Sequence, residues 1–421
     1  MTVIQALRGT RDILPSEVIY WQILEAQARE ILACAGYHEI RTPLFEATEL
    51  FARGIGEATD IVGKEMYTFT DRGDRSLTLR PEGTAGAVRA FIEHKLSAQG
   101  GVQRLWYTGA MFRYERPQAG RQRQFHQLGV EVLGSPDPRA DAEVIAIASD
   151  FLKSLGLTSL VVDLNSVGTS EDRQNYRQAL VEYFTPHQAD LDPDSQDRLH
   201  RNPLRILDSK DPKTQAIATA APSILDYLGT ESQKHFATVQ QLLTDLNISY
   251  RINNRLVRGL DYYTRTAFEI QSTQLGAQAA VCGGGRYDKL VTELGGPDVP
   301  AVGWAIGLER LVILLQQLAN QIPAAPQVYI VSRGAAAEAQ SLLIAQQLRR
   351  AKITTELDLT GAKFDKQLKR ANGANAKAAV ILGDTEIANQ QVQVKWLTSG
   401  VQETIPMTNL LTHLSQCLGD S

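Results

Sequence analysis

Residues 104–134 read RLWYTGAMFRYERPQAGRQRQFHQLGVEVLG. Two apolar-rich stretches, 104–114 and 123–134, flank the polar segment ERPQAGRQ. In the second, Phe125, Gln127, Gly129, Glu131 and Leu133 share one face, with His126, Leu128, Val130 and Val132 on the other, which is the period of a strand. The spacing predicts an antiparallel pair in a sheet with one face in a core and the other open to a ligand. From Arg104 to Arg123 there are five arginines (104, 113, 116, 121 and 123) and one acid, Glu115. Arg113 closes the first strand and Arg121 ends the loop, so both can converge on one side of the hairpin, where guanidinium groups suit phosphate oxygens. An isolated arginine pair is more often a solvated basic loop. Distant arginines, Arg258 and Arg310, reverse that preference only if the fold brings them together.

Outward from this hairpin, a chain of 421 residues holds two or three domains. With 43 % apolar and 21 % charged residues it can bury real cores. Residues 16–35 read as an amphipathic helix, with Ser16 at the N-cap, a stripe of Ile19, Ile23, Leu24, Ile31 and Leu32, and Gly36 as its stop. A strand ending at Pro43 should follow, and SLVVDLNS (159–166) is another. From about 168 to 250 the composition is polar and broken, and no alternation is strong, so an inserted helical subdomain is expected. Strands return at RTAFEI (265–270) and AAVCGG (279–284), before a helix at GLERLVILLQQL (307–318). NQIPAAP (320–326) is a linker. Beyond it strands and helices alternate, predicting a small α/β domain with a largely parallel sheet. The expected division is 1–167 with 251–321, an insertion at 168–250, and a last domain at 327–421.

The net charge of −4 argues against a generic nucleic-acid coat. Residues 325–421 carry ten Lys and Arg against eight Asp and Glu, leaving 33 against 39 elsewhere. An arginine cluster in that acidic body suits a focused anionic ligand. No apolar run approaches the ~20 residues that span a bilayer, and the N-terminus lacks a basic-then-apolar leader pattern. Cys34, Cys282 and Cys417 lack the spacing of a zinc site or disulfide framework. A reduced, cytoplasmic protein without a membrane span or a protein-held metal is expected. GxxxxGKS/T, HExxH, GxSxG and HxGH are absent, and GGGR at 283–286 opens no GxGxxG unit. Nucleotide phosphates would therefore have to be held by arginines.

Several other residues could form a site. Gln127 and Glu131 on a half-buried face need partners, and a buried salt bridge to an arginine is as good a reading of Glu131 as ligand binding. VRGLDYYTRTAFE (257–269) carries tandem tyrosines, Tyr262 and Tyr263, which either pack or present hydroxyls. In CGGGRYDKL (282–290), glycines precede Arg286, Tyr287 and Asp288 and permit either a close backbone approach or a tight turn. LRPEGT (79–84) sets Glu82, Gly83 and Thr84 before a helix start, where Glu82 can pair with an ammonium group or cap the helix. Lys363, Lys366 and Arg370 share a helical face, which is either solvated or in contact with an RNA backbone.

The ordered set resembles a known family. FRYERPQAGRQRQFHQLGVEVLG (112–134) resembles the second motif of class II aminoacyl-tRNA synthetases, GLERL (307–311) after AVGWAI the third, and helix 16–35 with RTPLFE (41–46) the first. VRGLDYYTRTAFE and CGGGRYDKL are similar to two segments peculiar to histidyl-tRNA synthetases, and GTRDILP (9–15) also fits. The resemblance implies an α+β catalytic domain with a mixed, mainly antiparallel sheet, a helical insertion, a C-terminal α/β anticodon-binding domain, and a homodimer. It implies that L-histidine and ATP give histidyl-adenylate and pyrophosphate, and that the histidyl group then moves to the 3′ end of tRNA(His). No tightly bound cofactor is implied; ATP is a substrate, with Mg2+ on its phosphates.

By motif match, the resemblance makes Arg113 and Arg258 the catalytic cations, with Arg113 on the α-phosphate and Arg258 where phosphate and carboxylate react. Glu115, Arg121 and Arg310 would complete the ATP site. Glu82, Gly83 and Thr84, assisted by Gln127, would receive the histidine ammonium group. Glu131 and Tyr263 would read the imidazole, which when neutral offers one donor and one acceptor, with Tyr262 and Tyr287 lining the pocket. Arg116 and Gln118 would approach the tRNA acceptor end. Thr264 and Gly283 depart from the family's usual asparagine and alanine, at positions with no assigned contact. The alternative is a catalytically inactive, synthetase-like regulatory subunit of ATP phosphoribosyltransferase. Such paralogues typically lack the last domain and the motif arginines, whereas this chain keeps both.

Overall fold

The computed structural model describes residues 3–56, 59–118, 120–256, 260–272, 279–318 and 325–419. Arg258 and most of the expected linker lie outside the described residues. The chain divides into two compact units, Met1–Gln321 and Ile322–Ser421.

The first unit opens with α1 (Pro15–Cys34), whose N-cap is Leu14 rather than the expected Ser16. Pro15 starts the helix because its fixed φ is already helical and the first turn needs no N–H. The buried stripe is Tyr20, Trp21, Leu24, Ala28 and Leu32, with Ile19 and Ile31 at its margin. The strand expected before Pro43 shrinks to β1 (His38–Glu39). Next come β2 (Phe45–Ala47), α2 (Thr48–Ile55), β3 (Tyr67–Thr70), β4 (Ser76–Leu79), α3 (Thr84–Glu93), β5 (Gln103–Phe112), β6 (Gln124–Leu133), α4 (Pro138–Ser154) and β7 (Leu160–Ser166). Four helices follow: α5 (Ser170–Phe184), α6 (Pro193–Arg201), α7 (Pro212–Thr219) and α8 (Thr230–Asp245). Their polar, broken composition has a local cause. Asp192–Pro193 and Asp211–Pro212 each place an aspartate at the N-cap, accepting a backbone N–H, and a proline in the first turn. The unit closes with β8 (Tyr250–Ile252), β9 (Thr264–Ser272), β10 (Ala279–Arg286), α9 (Leu290–Glu293), β11 (Ala301–Gly307) and α10 (Leu308–Leu318).

An eight-stranded sheet runs β1-β5-β6-β11-β10-β9-β7-β8, antiparallel except at its β1/β5 and β7/β8 edges. This is the expected mixed, mainly antiparallel sheet. The alternation read in 125–133 sorts its two faces. Leu128, Val130 and Val132 pack with Trp21, Val144, Ile145 and Leu311 in the largest core, which leaves Phe125, Gln127, Gly129 and Glu131 for the other side. Strands β2, β4 and β3 make a separate small sheet.

The second unit contains β12 (Val328–Ser332), α11 (Ala335–Arg350), β13 (Thr355–Leu357), α12 (Phe364–Gly373), β14 (Ala378–Leu382), α13 (Asp384–Ala388), β15 (Gln391–Trp396), β16 (Gln402–Pro406) and α14 (Leu410–Gly419). Its sheet, β13-β12-β14-β15-β16, is parallel over the first three strands and antiparallel over the rest. The largely parallel expectation is thus corrected. Strands β15 and β16 are joined by a short turn, which only antiparallel strands can use. Residues 402–406 pair as β16, so the last helix starts only at Leu410. Lys363 stands at the N-cap of α12, and Arg370 donates to Asp358 and Thr360, so the expected basic face is partly engaged internally. Among the described residues, no helix is long and apolar enough to cross a membrane.

Candidate active site

Glu131 is 1 % exposed, on the β6 face turned away from the main core. Its Oε1 accepts from the Thr84 hydroxyl at 2.8 Å and the Tyr107 hydroxyl at 3.1 Å, and its Oε2 accepts from the Tyr287 hydroxyl. Among the described residues the salt bridge weighed for Glu131 is not formed, and its donors are hydroxyls. Burial pushes its pKa up to about 8, against the lowering effect of the Tyr287 and Thr84 hydroxyls. When ionised, the carboxylate offers about four lone-pair sites, so beside three hydroxyl donors one acceptor position remains.

Tyr107 is a site residue that had no role in the sequence reading. A Cβ at Gly83 would stand 2.1 Å from its ring, and one at Gly129 would stand 2.4 Å from it. Two glycines therefore clear the space that lets the Tyr107 hydroxyl reach Glu131. The signal was the antiparallel register, which puts Tyr107 directly opposite Gly129.

Gly83 is the N-cap of α3, and Thr84 opens the helix. The buried Glu82 accepts the Thr84 N–H at 2.7 Å and the Ala85 N–H at 2.8 Å, so it does cap the helix. Burial raises its pKa, opposed by those capping bonds and by the charge of Arg113. Tyr262 and Tyr263 lie just before β9 rather than on a strand, with ring centroids 4.7 Å apart, and Tyr262 meets the ring of Tyr287 at 5.5 Å. Gln127 lies on the same β6 face as Glu131. Its buried Oε1 has no hydrogen-bond partner among the described residues.

Further along that face, Phe125 marks a second space. A cleft of about 250 Å³ is lined by Arg113, Glu115, Arg121, Phe125, Glu269 and Arg310, among others. Arg113 donates from Nε to the Pro81 carbonyl at 2.8 Å, and its guanidinium lies 5.3 Å from the Phe125 ring centroid. Glu115 lies 3.9 Å from Arg113 and 3.4 Å from Arg121. Arg310 arrives from α10 and donates to the Ala280 carbonyl at 2.7 Å. Burial lowers its pKa, and the charge of Arg121 lowers it further. Arg258 lies outside the described residues, while the hairpin arginines Arg113 and Arg121 share one cleft with Arg310 from a distant segment.

Its geometry is fixed from behind. Glu309, beside Arg310, accepts the His126 backbone N–H at 2.8 and 3.0 Å and contacts His126 Nδ1 at 3.0 Å, tying α10 to β6. The N-terminal segment holds the hairpin loop, since the Arg123 N–H donates to the Gly9 carbonyl at 2.7 Å. Arg116 and Gln118 are exposed on that loop, and Gln118 exchanges backbone hydrogen bonds with Arg121. Arg286, which the glycine-rich segment brought into question, is structural. It is fully buried and bonded to Asp141, the Ser135 carbonyl and Asp288. Burial opposes ionisation of Asp141, but Arg286 and His235 hold its pKa down at about 2.

Residues 9–311 match the family model described as Histidyl-tRNA synthetase, and 327–416 match the Anticodon binding domain. The chain is 69 % identical to a histidine–tRNA ligase from Cyanothece sp. PCC 7425, covering 100 % of this chain and 99 % of that protein. It is 68 % identical to a histidine–tRNA ligase from Gloeothece citriformis, with 99 % and 97 % covered. The crystal structure of apo S. aureus histidyl-tRNA synthetase superposes with a TM-score of 0.82 at 39 % identity, over 98 % of this chain and 100 % of that one. With both domains matched and close relatives aligned end to end, the chain belongs to the histidyl-tRNA synthetase family.

Proposed function

We propose that the protein activates L-histidine with ATP and transfers the histidyl group to tRNA(His). The observation that carries this reading is the row along one face of β6: Phe125 under Arg113, then Gln127 with its unpartnered amide oxygen, then Glu131 among three hydroxyls. At ~3.3 Å per strand residue, Gln127 and Glu131 are ~13 Å apart along the backbone, on the same face of β6. In this reading Glu131 accepts the imidazole N–H, Tyr263 serves the other ring nitrogen, and Tyr262 and Tyr287 close the pocket. Gln127 Oε1, Glu82 and Thr84 take the ammonium group. The substrate carboxylate is left facing the arginine cleft.

There a carboxylate oxygen attacks the α-phosphorus of ATP and the α–β bridging bond breaks, leaving pyrophosphate. Arg113 and Arg258 offset the charge at the reacting oxygens, as preorganised donors do; for Arg258 this rests on motif match. Arg121, Arg310 and Glu115 hold the rest of the nucleotide. ATP enters with Mg2+, whose oxygen preference suits the phosphates and the carboxylates of the cleft. In the second step a terminal ribose hydroxyl of the tRNA attacks the acyl carbon and AMP leaves, with Arg116 and Gln118 near the acceptor end.

We assign 1–167 with 251–321 to catalysis, 168–250 to the insertion and 327–421 to anticodon binding, in a cytoplasmic protein. A homodimer is supported by the resemblance of residues 16–45 to the motif that forms the dimer interface in this family, where Leu44 and Phe45 are exposed. The regulatory-subunit reading has less support, because the anticodon model matches 327–416 and Arg113 and Arg310 meet in one cleft. ATP–pyrophosphate exchange with each of the twenty amino acids, followed by charging of tRNA(His), tests the proposal. Exchange should require histidine, and equal exchange with another amino acid overturns the reading.

A further inference from the structure

We propose that Arg173, on the first helix after β7, is a positioning residue for the tandem tyrosines of the histidine pocket; this rests on the pocket reading given above. Arg173 lies in the first turn of α5, and that turn is unusually well fixed. Its N-cap Thr169 and Asp172 form a reciprocal capping box. Asp172 also accepts the Ser232 hydroxyl at 2.6 Å and the Gly229 N–H at 2.8 Å, tying the start of α5 to the start of α8. From this anchor Arg173 Nη1 donates to the carbonyls of Asp261 at 3.2 Å and Tyr263 at 2.9 Å. One guanidinium nitrogen therefore bridges the two carbonyls that flank Tyr262.

The segment that it holds is a turn without a strand or helix ladder of its own, so its backbone depends on such outside partners. Asp261 has further tethers. Its N–H donates to the Ile55 carbonyl at 3.2 Å, and its carboxylate meets Arg205 at 3.3 Å and Asn202 at 3.4 Å. Arg173 alone among these reaches past Tyr262 to Tyr263. The tyrosine rings in turn stack toward Tyr287, the donor to Glu131. A displacement of about 1 Å in a positioned group can lower a rate ~10²-fold, so loosening this clamp should be felt first in histidine recognition.

The test is histidine-dependent pyrophosphate exchange by the full chain, titrating histidine and ATP separately, with folding checked by thermal melting. Arg173→Ala and Arg173→Gln should raise the histidine KM roughly 10–100-fold, the effect of losing hydrogen bonds from a charged donor. The ATP KM should stay within about threefold. Arg173→Lys keeps a cation able to reach a carbonyl and should recover most of the loss. A merely structural role lowers the melting temperature and the active fraction but leaves the histidine KM in place. If Arg173→Ala does not fold, the Gln and Lys variants carry the comparison. A histidine KM within about twofold of the parent in folded Arg173→Gln overturns the proposal. A parent chain without histidine-dependent exchange overturns the pocket reading, and the proposal with it.

Discussion

The Glu131 carboxylate lies against the backbone of Gly303, its register partner on β11: a Cβ at 303 would stand 2.0 Å from Glu131 Oε2 and 2.3 Å from the Val130 carbonyl oxygen. Gly303 thus keeps open the space in which Oε2 meets Tyr287. Gly303→Ala should push the carboxylate off its hydroxyl donors and reduce histidine-dependent exchange by ~10² or more. Thermal melting supplies the comparison. Gly307, on the same strand, has no atom within 4 Å of an added Cβ, so Gly307→Ala should melt like the parent while Gly303→Ala melts lower. Parent-like exchange by Gly303→Ala would show that the Glu131 position is not set from β11.

Glu131 should also mark the pH dependence of stability. Below its ordinary value of 4.5 it is neutral in both folded and unfolded chains. Between 4.5 and about 8 the unfolded chain releases a proton that the folded chain keeps, so this group's contribution to stability falls as pH rises, and above about 8 the loss is complete. Glu131→Gln has no such proton. The melting temperature of Glu131→Gln relative to the parent should therefore climb by several degrees from pH 5 to pH 9. A flat difference across that range would mean that Glu131 is ionised throughout.

Arg310→Ala addresses the nucleotide half of the site. The variant loses a charged donor from the arginine cleft while the histidine pocket keeps its residues. The ATP KM should rise roughly 10–100-fold, and the histidine KM should change by less than about threefold. Equal effects on both substrates would place Arg310 in the general architecture rather than at the nucleotide.

Asp141→Asn should be strongly destabilising with no direct effect on substrate recognition. Arg286 is fully buried, and removing one partner of a buried ion pair typically costs about 3–5 kcal/mol. The sign with pH follows from an Asp141 pKa of about 2 against the ordinary 3.8. Its contribution is present above 3.8 and disappears as pH falls through about 2. Urea unfolding at neutral pH should show the full gap between parent and Asp141→Asn, and the gap should close toward pH 2. A gap that stays constant down to pH 2 would assign the destabilisation to packing rather than to charge.

Short-range chemistry was what the sequence determined by itself. The alternation of residues 125–133 set which face of β6 is core and which is site, because side chains on a strand alternate whatever they pack against. The arginine-rich loop marked one wall of the cleft that Arg310 also lines, and the polar, broken run after residue 168, without strand alternation, marked the helical stretch, because period and composition are local properties. Ser16, by contrast, lost the cap of α1 to Leu14 because Pro15 began the helix one residue earlier. The largely parallel sheet expected after residue 327 became half antiparallel because a short turn after Trp396 folds β16 back.

Tertiary structure alone decided how the site closes. The three hydroxyls on Glu131 come from residues 47, 24 and 156 positions away. Arg310 reaches a cleft opened by Arg113 and Arg121, and Arg173 reaches carbonyls 88 and 90 residues ahead. Such bonds form only after strand order, register and helix packing have brought distant backbone together, and no local period or cap records that outcome.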